Sequence, residues 1–117
     1  MIFIIDDDEI MAECIARAAR TESKVFSNAI EAMNAISTGE LPELIFLDVL
    51  LTGPDGFTLL NELVSYEDTA KIPVVIVSSI NFQGQDLTKY GVVGILAKDT
   101  MRPEEILGYV EKYKARH

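Results

Sequence analysis

Acidic residues follow two of the most apolar runs in this sequence. Asp6 and Asp7 come after the run at residues 2–5, and Asp48 comes after the run at residues 44–47. Open parallel sheets bind ligands outside the carboxyl ends of their strands, so side chains in these positions are candidates for chemistry. If the two runs form neighbouring strands, about 4.8 Å apart, the three carboxylates share one hollow.

Three carboxylates in one hollow require a cation or a proton. Two unit charges about 4 Å apart repel each other by around 4 kcal/mol at an effective dielectric constant near 20. An all-oxygen ligand set with open positions suits Mg²⁺, which keeps several of its waters. Zn²⁺ is disfavoured, because the chain has one cysteine and a single, terminal histidine. We therefore predict a Mg²⁺ site at Asp6, Asp7 and Asp48.

A hydroxyl and an ammonium group follow two further apolar runs, at Ser78 and Lys98. An aspartate carboxylate can attack phosphorus and form an aspartyl phosphate once a metal and an ammonium neutralise the phosphoryl oxygens. Lys98 offers that ammonium, and the Ser78 hydroxyl could bind another oxygen. Each residue also has an ordinary interpretation: helix capping for Asp6 and Asp7, a strand-end serine, and a solvated lysine. Their positions relative to Asp48 favour a site.

These side chains must be positioned by a sheet, and the sequence predicts one. Five short apolar runs alternate with longer helical patterns, which is typical of a parallel sheet covered by helices. The first, third and fourth runs are continuously apolar, like strands buried on both faces, so we place them centrally and the other two at the edges. The predicted strands are residues 2–5, 24–27, 44–47, 73–77 and 93–97.

Helical patterns fill the segments between the strands. In the first helix, Met11, Ile15 and Ala18 form the predicted apolar face, and in the third helix Phe57, Leu60 and Val64 do so, with Leu63 beside them. The fourth is the weakest, because it contains a glycine, and we expect it to be short or mobile. The predicted helices are residues 8–20, Asn28 to Gly39 with a capping box at Asn28 and Glu31, 55–66, 82–90, and Pro103 onward.

Length and charge limit the partners. A chain of 117 residues predicts one domain, residues 1–117. A net charge of −9 disfavours direct binding of nucleic acid or of an anionic membrane, so we expect cations or proteins as ligands. Cys14, which we expect to be a small buried residue, cannot form an internal disulfide. With no recognisable signal peptide or membrane span, we predict a cytoplasmic protein.

Taken together, these residues resemble the receiver domain of bacterial two-component response regulators over essentially the whole chain. The resemblance implies an α/β, flavodoxin-like fold: a five-stranded, doubly wound parallel sheet in the order 2-1-3-4-5 with helices on both faces. The matching segments are Ile-Ile-Asp-Asp-Asp-Glu at 4–9, Leu47-Asp48-Val49, Asp55-Gly56-Phe57, Ser78-Ser79 and Gly91 to Lys98.

The resemblance also implies a role for each site residue. Asp48 would be the phosphoacceptor, and Asp6, Asp7, Asp48 and the backbone carbonyl of Leu50 would hold Mg²⁺. Lys98 would pair with the phosphoryl group, and Ser78 would sense it. A sensor histidine kinase or a phosphotransfer protein would be the donor, and the domain would promote both transfer and hydrolysis without being an enzyme. In a chemotaxis-type single-domain regulator, output runs through contacts with a downstream protein or through phosphate relay.

Two departures from the family concern signalling residues. Ile95 stands where the family usually has tyrosine or phenylalanine, and its β-branched side chain is stiff. We expect weak coupling through Ile95, or a substitute role for Tyr90 or Phe82. Asp99 stands where a proline usually follows the lysine through a cis bond, so we predict a trans bond and a displaced or looser Lys98.

A third departure is the loop after Asp48, where Pro54 comes two places later than usual. Two other functions remain open. One is a pseudo-receiver, a binding module of the same fold that phosphorylation does not switch. The other is a haloacid-dehalogenase-like phosphatase, whose nucleophile motif Asp6-x-Asp8 resembles, although Asp48 would then have no role.

Overall fold

The protein forms a five-stranded parallel sheet with strand order β2-β1-β3-β4-β5. Its computed structural model describes residues 1–48, 54–78 and 88–114, apart from the side chains of 54–57 and 114. The predicted flavodoxin-like architecture and strand order are confirmed, and each strand begins and ends within one residue of its predicted bounds. The strands are β1 (Ile2–Ile5), β2 (Ser23–Phe26), β3 (Ile45–Leu47), β4 (Val74–Ser78) and β5 (Val92–Ala97).

The three continuously apolar strands lie at the centre, as predicted. Every residue of β1, β3 and β4 is buried, because each strand pairs on both sides and is covered on both faces. The edge strands are partly exposed: Lys24 and Val25 of β2 and Val93 and Ile95 of β5 reach the surface. Their mixed composition therefore reflects their position in the sheet.

Helices cover both faces of the sheet. One apolar cluster joins one face to the first and last helices, and a second joins the other face to the two helices between them. A short 3₁₀ turn, Thr88–Tyr90, precedes β5. The helices in the described residues are α1 (Glu9–Ala19), α2 (Ala29–Ser37), α3 (Pro54–Ser65) and α4 (Pro103–Lys114).

Capping side chains set the ends of α1 and α2. The Asp8 carboxylate accepts the backbone N–H groups of Ile10 and Met11, at 3.0 and 3.2 Å, and so begins α1. Asn28 accepts the N–H of Glu31 at 2.9 Å and begins α2, as predicted. After α2, Gly39 adopts a φ of +102°, the left-handed conformation that favours glycine.

The predicted apolar face of α3 is wrong in one respect. Leu59, Leu60 and Leu63 are buried, whereas Val64 is exposed. Successive helical residues are about 100° apart, so a face centred on the three leucines leaves Val64 turned toward solvent. The Phe57 side chain lies outside the described residues. On α1, the buried residues are Ala12, Ile15 and Ala19, with the predicted Met11 and Ala18 partly buried beside them.

Cys14 was expected to be buried, and it is exposed. The reason is helical geometry, because α1 packs through positions 12, 15 and 19 and Cys14 lies on the opposite side. Of the predicted helix at 82–90, only the Thr88–Tyr90 turn falls within the described residues. Among the described helices, none is long and apolar enough to cross a membrane.

Candidate functional site

The sheet brings the predicted acidic residues together at the carboxyl ends of β1 and β3. These strands pair in parallel with Ile5 opposite Leu47, so the next residues, Asp6 and Asp48, are also neighbours. The Asp48 N–H donates to the Ile5 carbonyl at 2.9 Å, which continues this pairing past the strand end. One carboxylate oxygen from each of Asp6, Asp7 and Asp48 lies within 4.8 Å of the others. The predicted cluster is therefore present.

The three carboxylates differ in burial. Asp6 and Asp48 are 2% and 1% exposed, and Asp7 is exposed to solvent. One oxygen of Asp6, Oδ1, accepts the backbone N–H of Asp8 at 2.9 Å. The other, Oδ2, is buried and has no hydrogen-bond donor among the described residues. A buried carboxylate oxygen without a donor is costly unless a cation is near it.

Lys98 provides a positive charge in the cluster. Its Nζ donates to Asp48 Oδ2 at 2.8 Å and lies 3.3 Å from Asp6 Oδ2. The second contact is an ion pair whose angles do not make it a hydrogen bond, which agrees with the unsatisfied Asp6 oxygen. The bond between Lys98 and Asp99 is trans, as predicted. The Lys98 ammonium contacts both buried acids, and a displaced or looser Lys98 relative to the family stays a prediction.

The pairing of β4 with β5 places Lys98. Ser78 lies opposite Ala97, and the Lys98 N–H donates to the Ser78 carbonyl at 3.0 Å. The long side chain then reaches across the end of β4 to Asp48 on β3. Two charged residues far apart in the sequence thus meet because the carboxyl ends of parallel strands lie side by side.

Burial and charge shift two pKa values in the cluster. Burial is the largest influence on Asp6 and raises its pKa, and the Asp48 charge adds to this, against the Asp8 N–H and Lys98, which lower it. For Lys98, burial is the largest single influence and lowers its pKa, but the contacts with Asp48 and Asp6 together raise it above its ordinary value. The metal-free site therefore favours a protonated Lys98 and resists full ionisation of Asp6.

Ser78 is buried at the end of β4, next to β3, the strand that Asp48 follows. In register it lies one residue beyond the level of Asp48, because Leu47 pairs with Ile76. Ile95 is 40% exposed on the edge strand. The remaining predicted ligand, the Leu50 carbonyl, lies outside the described residues.

Sequence reasoning missed one contributor to the site. It gave Asp8 no part in the carboxylate cluster, but the Asp8 N–H fixes the Asp6 carboxylate through a bond between residues two apart. This is the geometry of an Asx turn, in which an aspartate side chain accepts a backbone N–H two residues on. Asp-x-Asp after a strand was the signal that could have indicated it.

The donor set fits a hard divalent cation. Three carboxylates offer oxygen ligands, one oxygen is buried without a hydrogen bond, and Asp7 keeps the cluster open to solvent. Mg²⁺ prefers oxygen ligands of this kind and retains waters on its open side. No sulfur or imidazole among the described residues joins the cluster, which disfavours a softer metal.

Comparison with known proteins agrees with this arrangement. The family model of the response regulator receiver domain matches residues 2–111. The chain belongs to this family. Receiver domains are signalling modules and not enzymes, so the phosphatase interpretation of Asp6 and Asp8 is set aside.

Individual relatives of the receiver domain extend the comparison. The response regulator PleD of Caulobacter vibrioides is 31% identical over 85 residues, which cover 71% of this chain and 19% of PleD. A putative response regulator from Chloroflexus aurantiacus is 30% identical, with a TM-score of 0.76 over 98% of this chain and 97% of that one. The NtrX receiver domain from Brucella abortus, 22% identical, has the same fold, with a TM-score of 0.80 and full coverage of both chains.

Proposed function

We propose that this receiver domain accepts a phosphoryl group on Asp48 from a sensor histidine kinase or a phosphotransfer protein. The observation that carries the proposal is the position of Asp48: buried at a strand end, beside two further carboxylates, with the Lys98 ammonium 2.8 Å from its Oδ2. A carboxylate in such a setting has a cation ready to offset the charge of an incoming phosphoryl group.

The transfer needs little from the protein beyond positioning and charge. An Asp48 carboxylate oxygen attacks phosphorus, the phosphorus–nitrogen bond of the donor phosphohistidine breaks, and the released imidazole nitrogen is protonated from solvent. Lys98 stays within reach of the oxygens added at Asp48. The Ser78 hydroxyl, at the end of the adjacent strand, is proposed to bind another of them.

Mg²⁺ is the proposed cofactor. Asp6, Asp7 and Asp48 would hold it, with the Leu50 carbonyl as a further ligand on the basis of the family resemblance alone. When bound, the ion supplies positive charge that offsets the phosphoryl oxygens during transfer. Asp6 would be one of the residues that hold it, and the Asp8 N–H keeps its carboxylate oriented.

Phosphorylation adds negative charge to a buried strand end, and a downstream protein would read the resulting shift between conformations. A net charge of −9 supports output through protein contacts rather than nucleic acid, as in chemotaxis-type single-domain regulators. The single cysteine supports a reducing, cytoplasmic location. Ile95 is proposed to relay the signal weakly.

Intact mass spectrometry after incubation with acetyl phosphate and Mg²⁺ tests the proposal. We expect a gain of about 80 Da, the mass of one phosphoryl group, in the unmodified domain and none in Asp48→Asn. Asp99→Asn, which removes an exposed carboxylate close to the site, is the matched control and should keep the gain. An unmodified mass in a folded domain that still binds Mg²⁺ would instead identify a pseudo-receiver.

A further inference from the structure

A groove of about 330 Å³ lies between α2 and α3, away from the carboxylate cluster. Part of its lining is apolar: the partly exposed Met33 and Ile36 come from α2, above the buried Leu59 and Leu63 of α3. In a doubly wound fold the helices run antiparallel to the strands. The C-terminal ends of α2 and α3, and the turn after α3, therefore lie near the amino ends of the strands, whereas Asp48 lies at their carboxyl ends.

The rim of the groove is acidic and aromatic. Glu62 and Asp68 are exposed, and the Tyr66 ring is 59% exposed between them in sequence. No lysine or arginine occurs among the described lining residues, and within the described part of the chain neither carboxylate forms an ion pair. Two uncompensated carboxylates beside an exposed aromatic ring form a surface that attracts a cation.

The turn that carries the rim is held in place. Thr69 is 5% exposed, and its hydroxyl proton is shared between the Leu63 carbonyl at 2.5 Å and the Tyr66 carbonyl at 3.3 Å. These contacts hold the turn that follows α3, and Asp68 lies in that turn. A partner would therefore meet a rim that is already ordered, which reduces the entropy lost on binding.

We propose that this groove binds a basic amphipathic helix of a partner protein. The apolar side of that helix would pack on Met33 and Ile36, which are only partly buried, as helices do in grooves between two other helices. An arginine or lysine one turn away would extend its aliphatic stem over Tyr66 and place its charge near Glu62 and Asp68. A second copy of this chain fits poorly, because each copy carries a net charge of −9.

This docking site is separate from the proposed phosphoacceptor. It lies at the opposite edge of the sheet, so a partner bound there leaves Asp48 open to its phosphodonor. A tethering or localising contact of this kind does not depend on the state of the Asp48 carboxylate, and it is tested without any phosphodonor.

Amide shifts in ¹⁵N-labelled domain provide the test. The probe is an amphipathic peptide of leucine and arginine, with a leucine and glutamate peptide of the same pattern as comparison. We expect saturable shifts at residues that line the groove with the arginine peptide alone. The double variant Glu62→Gln, Asp68→Asn should weaken binding roughly tenfold. This is the change in affinity expected when the binding free energies of two exposed ion pairs are lost together.

A matched control separates this site from general attraction to an acidic protein. Glu104→Gln, Glu111→Gln removes the same two charges from exposed positions on α4 and should leave the affinity within about twofold. Equal weakening in both double variants, or shifts that do not map to α2 and α3, overturns the proposal. So do shifts that grow with protein concentration without peptide, which would indicate self-association, and equally tight binding of free arginine amide. Backbone spectra confirm that each variant is folded.

Discussion

Lys98 donates a 2.8 Å hydrogen bond to Asp48 Oδ2 and lies 3.3 Å from Asp6 Oδ2, so one ammonium contacts two buried carboxylates and offsets one of their two charges. Asp6 and Asp48 also belong to the carboxylate cluster that could hold a divalent cation. In the metal-free domain Lys98 is therefore the counter-ion of the acids. It follows that Lys98 and a bound metal compete for the same negative charge.

Replacing Lys98 with methionine should separate the stability that Lys98 gives the metal-free domain from its competition with Mg²⁺. Without metal, we expect Lys98→Met to lower the free energy of unfolding by about 3 kcal/mol, because two buried charges lose their partner. The Lys98 pKa is raised in the folded state, so this contribution is fully present below about pH 10 and is lost as pH rises through the folded value. The variant should also bind Mg²⁺ more tightly. Chemical unfolding with and without Mg²⁺ measures both.

The matched control for this prediction is Lys71→Met, which removes an exposed lysine outside the cluster. It should change neither stability nor Mg²⁺ affinity appreciably. If Lys98→Met left the Mg²⁺ affinity unchanged, competition between the ammonium and the metal would be wrong.

Asp6→Asn should stabilise the metal-free domain at neutral pH. Burial raises the Asp6 pKa, so the contribution of Asp6 to stability is fully present below its unfolded value near pH 4 and is lost as pH rises through the folded value. Asparagine keeps the acceptor for the Asp8 N–H without the buried charge. We expect Tm to rise by a few degrees at pH 7 and the gain to shrink in acid.

The same variant should lose most of the rise in Tm that Mg²⁺ produces in the unmodified domain, because a ligand that binds only the native state stabilises it. Asp99→Asn, at an exposed position, is the comparison for both measurements. If the metal-free Asp6→Asn domain were less stable than the unmodified one at neutral pH, the neighbours of Asp6 would already compensate its negative charge.

Gly94 of β5 leaves room for the Tyr109 ring of α4. A Cβ at position 94 would lie 1.9 Å from the Tyr109 hydroxyl oxygen, so Gly94→Ala forces the ring away. We expect a loss of about 2 kcal/mol, typical of overpacking. In Gly94→Ala, Tyr109→Ala the clash is gone, and the double variant should be no less stable than Tyr109→Ala alone.

Gly108 provides the control for the Gly94 prediction. It lies within α4, and a Cβ there meets nothing within 4 Å. Gly108→Ala should stabilise the domain by up to about 1 kcal/mol through helix propensity. A Gly94→Ala variant as stable as Gly108→Ala would contradict the packing of Tyr109 over the strand.

Asp8 caps α1 and also holds the Asp6 carboxylate through its backbone N–H. Asp8→Ala should cost about 1 kcal/mol, because the N–H groups of Ile10 and Met11 lose their acceptor. Asp8→Ser should retain most of the stability, since serine also caps helices. Both variants keep the N–H that binds Asp6, so Mg²⁺ affinity should fall little. Unfolding and Mg²⁺ titration check the two parts.

Much of this structure was readable from residue patterns. Continuous apolar runs at β1, β3 and β4 indicated buried central strands, and Asn28 and Gly39 indicated the ends of α2, because these signals act over a few neighbouring residues. The acidic cluster was predictable because strand ends in a parallel sheet share one edge. The exact strand order needed the family resemblance.

Tertiary packing decided the rest. Sequence periodicity did not determine the rotation of each helix, so Val64 was misplaced, since a helix of suitable pattern can bury either of two adjacent stripes. Cys14 was expected to be buried from its residue type alone, which does not say which side of α1 packs. Nor did it indicate that Lys98 would bridge Asp48 and Asp6, or that a groove with an acidic rim would open between α2 and α3. Local propensity depends on near neighbours in the chain, whereas contacts between distant residues exist only once the sheet and its helices have packed.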